Sequence, residues 1–144
     1  MKLSPNFSLD ELTRSDYASR HGLENEPDAK AIENLKRLAA LLEQVRTLCN
    51  TPIIVSSGYR SPAVNAGVGG SKISQHMFGC AADIRALRMS IGDLMKKVVG
   101  SDIKYDQIIL EFNSWVHISV PNSPTTAPRR QALIIDRAGT RTYR

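Results

Sequence analysis

The sequence has few cysteines, few histidines, few aromatics and no long apolar run, and each shortage excludes something. Two cysteines in 144 residues, Cys49 and Cys80, are too few for a disulfide scaffold. No apolar stretch is long enough to cross a bilayer. The opening MKLSPNFSLDEL has no apolar core followed by a small-residue cleavage site. No secretory leader is therefore expected, and a target outside the cytoplasm would need another route of delivery. General disorder is excluded as well, because 42% apolar and 23% charged residues is a globular composition. At this length one domain is expected, 1–144, hiding roughly 68–70% of the surface its unfolded chain would show.

Charge is unevenly spread. The net charge is +5, and residues 129–144 hold Arg129, Arg130, Arg137, Arg141 and Arg144 against one acid, Asp136. That segment carries +4, so the rest of the chain is near neutral. A nucleic-acid binder should spread its charge over one face, and no series of stacking aromatics accompanies the arginines. Nucleic acid is not an expected partner. A basic C-terminal segment suits contact with an anionic polymer or membrane surface at one end, or is simply a solvated edge.

Local patterns divide the chain. Ser8 and Glu11 form a capping box, predicting a short helix to about Tyr17 and a loop over 18–27. Ile32, Leu35, Leu38, Ala39, Leu42, Val45 and Cys49 recur at steps of three and four, predicting a long core helix over about 28–49. Residues 53–57 (IIVSS) read as a buried strand. Ser61-Pro62 opens a short helix, and three glycines in residues 66–74 make a loop. Residues 80–84 form a second strand candidate, and Ser90 starts another helix. Strands 107–111 and 115–120 flank Phe112-Asn113-Ser114 as a hairpin. Residues 133–135 and 140–143 suggest a weaker terminal hairpin. Helices before and between clustered strands predict an α+β fold, an antiparallel-dominated sheet with helices packed on it.

The chemistry centres on three histidines, His21, His76 and His117. His21 follows Arg20 in a polar stretch and reads as surface. His76 and Asp83 are seven apart with a glycine turn between them, so they can meet only if the histidine lies on the loop and the aspartate enters the strand. On the later strand, Trp115, His117 and Ser119 share one face. Two imidazoles and one carboxylate suit a catalytic zinc, leaving a fourth position open. Each histidine could equally be a hydrogen-bonded structural residue.

Together, Ser56-Ser57-Gly58-Tyr59-Arg60-Ser61-Pro62, Asn65, Ser74-x-His76-x-x-Gly79-x-Ala81-x-Asp83 and Trp115-x-His117 resemble the zinc D-Ala-D-Ala metallopeptidase family. Its fold relatives include lysostaphin-type peptidases and the Hedgehog signalling domain. The resemblance covers roughly residues 5–120 and is strongest to small phage, prophage and bacterial members acting on peptidoglycan stem peptides. It implies zinc bound by His76, Asp83 and His117, a Hedgehog/DD-peptidase-like fold, and a carboxypeptidase or endopeptidase working as a monomer. It also implies an enzyme made in the cytoplasm that reaches the wall through a holin or with the virion. Arg60 falls where the family keeps an arginine near substrate and metal. It could grip a carboxylate, steady a carbonyl oxygen as it gains charge, or tie down its loop through an ion pair. The Ser74 hydroxyl touches substrate or holds the loop beside His76. Tyr59 and Trp115 line a substrate cleft or pack. Cys80 is a small buried residue or, less in keeping with the pattern, a thiolate ligand.

One departure stands out. Many members place a Glu or Asp general base three residues before the last histidine, and here that position is Ser114. The nearest carboxylate is Glu111. A hairpin loop of Asn113-Ser114-Trp115 would set Glu111 opposite His117 on the metal face, whereas a two-residue loop would turn it away. Resemblance to the small members, with a similar Asp-Gln-x-x-x-Glu run before Trp-x-His, favours Glu111 as the base. Asp106 and Asp102 are weaker candidates. The missing acid at Ser114 keeps a second reading open, a zinc-stabilised module that binds wall peptides or a protein partner without hydrolysis.

Overall fold

The computed structural model describes residues 1–144. Its centre is a sheet of six strands: β3 (Ile53–Ser57), β4 (Ala81–Ala86), β5 (Gln107–Glu111), β6 (Trp115–Ser119), β7 (Gln131–Asp136) and β8 (Gly139–Thr142). Their spatial order is β3-β4-β6-β5-β7-β8, with every pairing antiparallel except the parallel β5–β7 pair. Ahead of the sheet come a two-stranded ribbon, β1 (Lys2–Ser4) with β2 (Phe7–Ser8), and helices α1 (Leu9–Thr13), α2 (Asp16–His21) and α3 (Ala29–Cys49). Helices α4 (Pro62–Gly67) and α5 (Ile91–Val99) lie between strands. The fold is the expected α+β type.

Helix α3 sits on one face of the sheet because its apolar stripe has only that face to bury against. Leu35, Leu38, Ala39, Leu42 and Val45 are fully buried and join Cys80, Ala82, Ile84, Leu94, Val116 and Ile118 in one core cluster. Strand alternation then sends Ala81 and Asp83 of β4, and Trp115 and His117 of β6, to the other face. The core face makes the scaffold, and the opposite face is left for chemistry.

Several expectations need correcting. The first helix stops at Thr13, because Ser15 caps a new helix by accepting from the Ala18 N–H at 3.1 Å. Residues expected to be loop therefore form most of α2, which Gly22 ends in the left-handed region at φ 63°. There His21 stacks on Tyr17, with ring centroids 3.9 Å apart. Helix α4 takes up Ala66 and Gly67, so the glycine loop starts later than expected. Cys49 and Cys80 are free thiols, both buried.

The arginine-rich segment is woven into the fold. Segment 120–130 steps over the start of β5 to bring β7 alongside it, and its last residues are tied down there. Arg129 pairs with buried Asp106, Nη2 to Oδ2 at 2.8 Å. Arg130 donates to the Ile103 and Ser101 carbonyls and lies 4.9 Å over the Tyr105 ring. Arg141 pairs with Asp136 across the β7–β8 turn at 2.8 Å. Arg137 and Arg144 are the segment's arginines without such partners.

Two motif glycines mark close approaches. A Cβ on Gly58 would run into the Leu12 carbonyl at the end of α1, where Tyr59 N–H already bonds at 2.7 Å. Gly79 has φ 75°, and a Cβ there would sit 2.6 Å from the Ala31 carbonyl oxygen of α3. Left-handed backbone costs an ordinary residue about 1–2 kcal/mol even without a clash. Gly79→Ala should therefore lower the unfolding free energy by at least that amount in urea denaturation. An unchanged midpoint would show that the turn has room to adapt.

Candidate active site

His76 is delivered by a single 3-10 turn, Gln75–Phe78, that follows the glycine loop. The turn is capped by Ser74, whose Oγ accepts from the His76 N–H at 3.2 Å. Asp83 and His117 come from neighbouring strands and are direct partners in the β4–β6 register. All three are buried, and one ligand atom from each lies within 4.8 Å of the others. The histidine on the loop and the aspartate in the strand meet as the spacing required.

The hydrogen-bond pattern decides what the cluster can hold. His76 Nδ1 lies 2.7 Å from the Gly58 carbonyl oxygen, which can only accept, so Nδ1 carries the proton. In the neutral ring Nε2 is then a bare lone pair, and it faces Asp83 Oδ1 at 3.3 Å. His117 Nδ1 faces the same oxygen at 3.2 Å. Burial alone would raise the Asp83 carboxyl, but when the two imidazoles carry a proton toward it, their hydrogen bonds and charge outweigh burial and hold Asp83 well below the usual carboxylate range. A buried carboxylate facing an imidazole lone pair needs a cation between them, a proton or a metal. Tetrahedral zinc with bonds near 2.0–2.2 Å sets its ligands about 3.3 Å apart, which matches both contacts. The Gly58 carbonyl supplies the outer partner that fixes a ligating imidazole.

Around this cluster the chain is pinned from several sides. Strand β3 carries one extra residue between Val55 and Ser57, a bulge directly beside Asp83. Ser56 Oγ donates to the Asp83 carbonyl at 3.2 Å. Arg60 Nη2 donates to Asp83 Oδ2 at 3.3 Å, while its Nε and Nη1 reach Ser57 Oγ at 3.1 Å and Asn65 Oδ1 at 3.3 Å. Arg60 thus occupies one carboxylate oxygen and leaves Oδ1 to the histidines.

The cluster opens into a cavity of about 760 Å³ lined by Arg60, Ser74, Glu111, Trp115 and Arg129 among others. Glu111 reaches it through the Phe112-Asn113-Ser114 hairpin read from the strand boundaries, and not through the Asn113-Ser114-Trp115 loop that would have set it opposite His117. Glu111 pairs with Trp115, and Ile109 pairs with His117. The slip is two residues, so the face is preserved and Glu111 still points to the metal side. Phe112 and Asn113 take positive φ, 52° and 51°, to close this loop. Burial and the charge of Asp83 push the Glu111 carboxyl up, against the pull of His117, Trp115 and Arg60. The Trp115 indole nitrogen lies beside this carboxylate, yet it is buried and closes no hydrogen bond of ordinary geometry. Ser114 is exposed and donates to its own loop, to the Phe112 carbonyl at 3.0 Å.

The structure does not bring every candidate together. Tyr59 leaves β3 toward the helices and is buried in the core cluster, outside the cavity lined by His76 and Asp83. Cys80 lies on the core face against Arg37 of α3, outside the cluster of His76, Asp83 and His117, which removes it as a thiolate ligand. Asp106 is engaged by Arg129 and Gln75 instead of serving as a base. Sequence reasoning missed Gln75, whose Nε2 bonds Asp106 and the Val120 carbonyl, because no spacing rule marks a residue that braces its neighbour.

Comparisons with known proteins agree with the geometry. A protein-family model described as peptidase M15 matches residues 5–119. A curated relative, a zinc D-Ala-D-Ala carboxypeptidase from Streptomyces albus G, is 35% identical over 83 residues. That alignment covers 56% of this chain and 31% of the relative, so the chain spans about a third of the length of the curated protein it matches.

The cluster makes a direct prediction about metal content. Purified protein should carry one zinc per chain, and His76→Ala and His117→Ala should each lose most of it in elemental analysis. Full occupancy in both variants would dismiss these ligands.

Proposed function

Because the chain belongs to the M15 peptidase family, we propose that it is a zinc-dependent peptidase that hydrolyses a peptide bond in peptidoglycan stem peptides or cross-links. The observation that carries this reading is a buried cluster that requires a cation, opening into a cavity that also holds a carboxylate with a raised pKa. His76, Asp83 and His117 would hold the zinc, which when bound would supply Lewis-acid polarisation of the scissile carbonyl and ease deprotonation of water.

The chain's own residues do the rest. Glu111 takes the proton of the attacking water and hands it to the leaving amine, a role that burial and the nearby Asp83 favour by raising its proton affinity above that of a free glutamate. Arg60, already oriented by Ser57, Asn65 and Asp83, presents a fixed positive charge where the carbonyl oxygen gains negative charge. Trp115 offers a flat wall for the peptide, and Ser74 acts by holding the His76 turn. As part of the same proposal, the enzyme works in cell-wall lysis, the setting that the resemblance of its motifs to small phage and bacterial members implies. Any added contact with anionic wall polymer falls to Arg137 and Arg144.

Glu111→Gln tests the assignment. It preserves shape and removes the base, so zinc should stay bound while turnover of purified peptidoglycan falls about 10²–10⁴-fold. Product masses from the wild type would identify the bond cut. Near-normal hydrolysis by Glu111→Gln would refute its role. A zinc-loaded wild type that binds wall peptides without cutting them would favour the non-catalytic module.

A further inference from the structure

Arg129 lies beyond the residues matched by the family model, yet it lines the same cavity as His76, Asp83 and Glu111. Its side chain is 55% exposed but firmly held. The Arg129 backbone N–H and Nε both donate to Asp106 Oδ1 at 3.1 Å, and Nη2 donates to Oδ2 at 2.8 Å. Asp106 is itself buried and accepts from Gln75 Nε2 at 3.1 Å, one residue before His76. Nη1 of Arg129 has no protein partner. One side of the guanidinium is thus locked by a buried carboxylate, and the remaining donors are free. Much of the ordering cost of binding a second anion is already met by the fold. The planar fork matches a carboxylate.

Strand register locates this cation relative to the metal. Asp83, His117 and Ile109 form one row across β4, β6 and β5. Glu111 and Trp115 form the row on one side of it. On the other side are Ala81 with Ser119, and Gln107 with Gln131, and Arg129 sits just before Gln131. Two residues along a strand are about 7 Å, and Arg129 stands two residues before Gln131, so its backbone lies about 13 Å along the strand direction from the metal row and its long side chain reaches back into the cavity. A peptide lying over the metal row would have the base on one side and Arg129 on the other.

The geometry points to Arg129 as a specificity-determining residue that binds a carboxylate of the peptide substrate, on the side of the metal row opposite Glu111. This inference rests on the peptidase reading. The carboxylate could be a chain terminus or an acidic side chain, so the test compares three peptides of one sequence: both carboxylates free, the C-terminal amide, and the side-chain amide. Values of kcat/KM are measured for zinc-loaded wild type, Arg129→Gln and Arg129→Lys. Lysine keeps a cation for Asp106 but lacks the planar fork.

A charge-assisted hydrogen bond contributes about 1.5–3 kcal/mol, so wild type should use one amide at least about tenfold less well than the parent peptide, through KM. In both variants parent and amide should be used alike, and the amide that discriminates identifies the carboxylate. The ratio between peptides is taken within one preparation, so it is blind to how much of a variant is folded. Equal use of all three peptides by wild type, or a wild-type preference kept in both variants, would overturn the inference. If wild type cleaves none of them, the peptidase reading fails. The same peptides are then titrated calorimetrically. A preference for the free acid that Arg129→Gln abolishes would still support the anchor, and its absence would reject it.

Discussion

Everything on the working face of this protein depends on one buried carboxylate oxygen, Asp83 Oδ1, facing two imidazole nitrogens. An ionised carboxylate in a protein interior is costly unless it is paired. Here the Gly58 carbonyl fixes the His76 tautomer, so the His76 pairing places a lone pair against an anion. Such an arrangement needs a cation between its members and rigid surroundings to keep them in place. The local architecture supplies the rigidity: a bulge in β3, a capped 3-10 turn, and an arginine bonded to three acceptors.

That rigidity is bought on the opposite face. The apolar stripe of α3 and the inward residues of β4 and β6 form one continuous core, and their burial sets the pleat. Once Ala82, Ile84, Val116 and Ile118 face the core, Asp83 and His117 have no choice of side. The metal cluster is therefore a consequence of core packing as much as of its own chemistry. The glycines at 58 and 79 serve the same end, since each lets the chain pass close to a helix carbonyl near the point where it delivers His76 or its partner.

The two carboxylates outside the cluster show how environment separates roles. Asp106 is buried, but hydrogen bonds and charge from Arg129 hold its carboxyl low, which suits a permanent anchor. Burial and the neighbouring Asp83 push Glu111 the other way, which suits a group that exchanges protons. Neither difference can be seen in the residue type. Both follow from which charged neighbours the sheet brings alongside.

How much was legible in the sequence divides along the range of the interactions. The capping box at Ser8, the stripe of α3, the strand at 53–57 and the sheet hairpins are local patterns, and each forms close to where the pattern placed it. The His76, Asp83 and His117 set was legible because motif spacing and strand alternation carry that information. What tertiary structure alone decided was longer in range. Tyr59 turning into the core, and Arg129 and Arg130 bonding back to the start of β5, depend on residues far along the chain. The Glu111 register is the clearest case. Alternation could say that an even slip keeps the side chain on the metal face, but only the closed sheet, with Phe112 and Asn113 in the left-handed region, selected Trp115 as its partner.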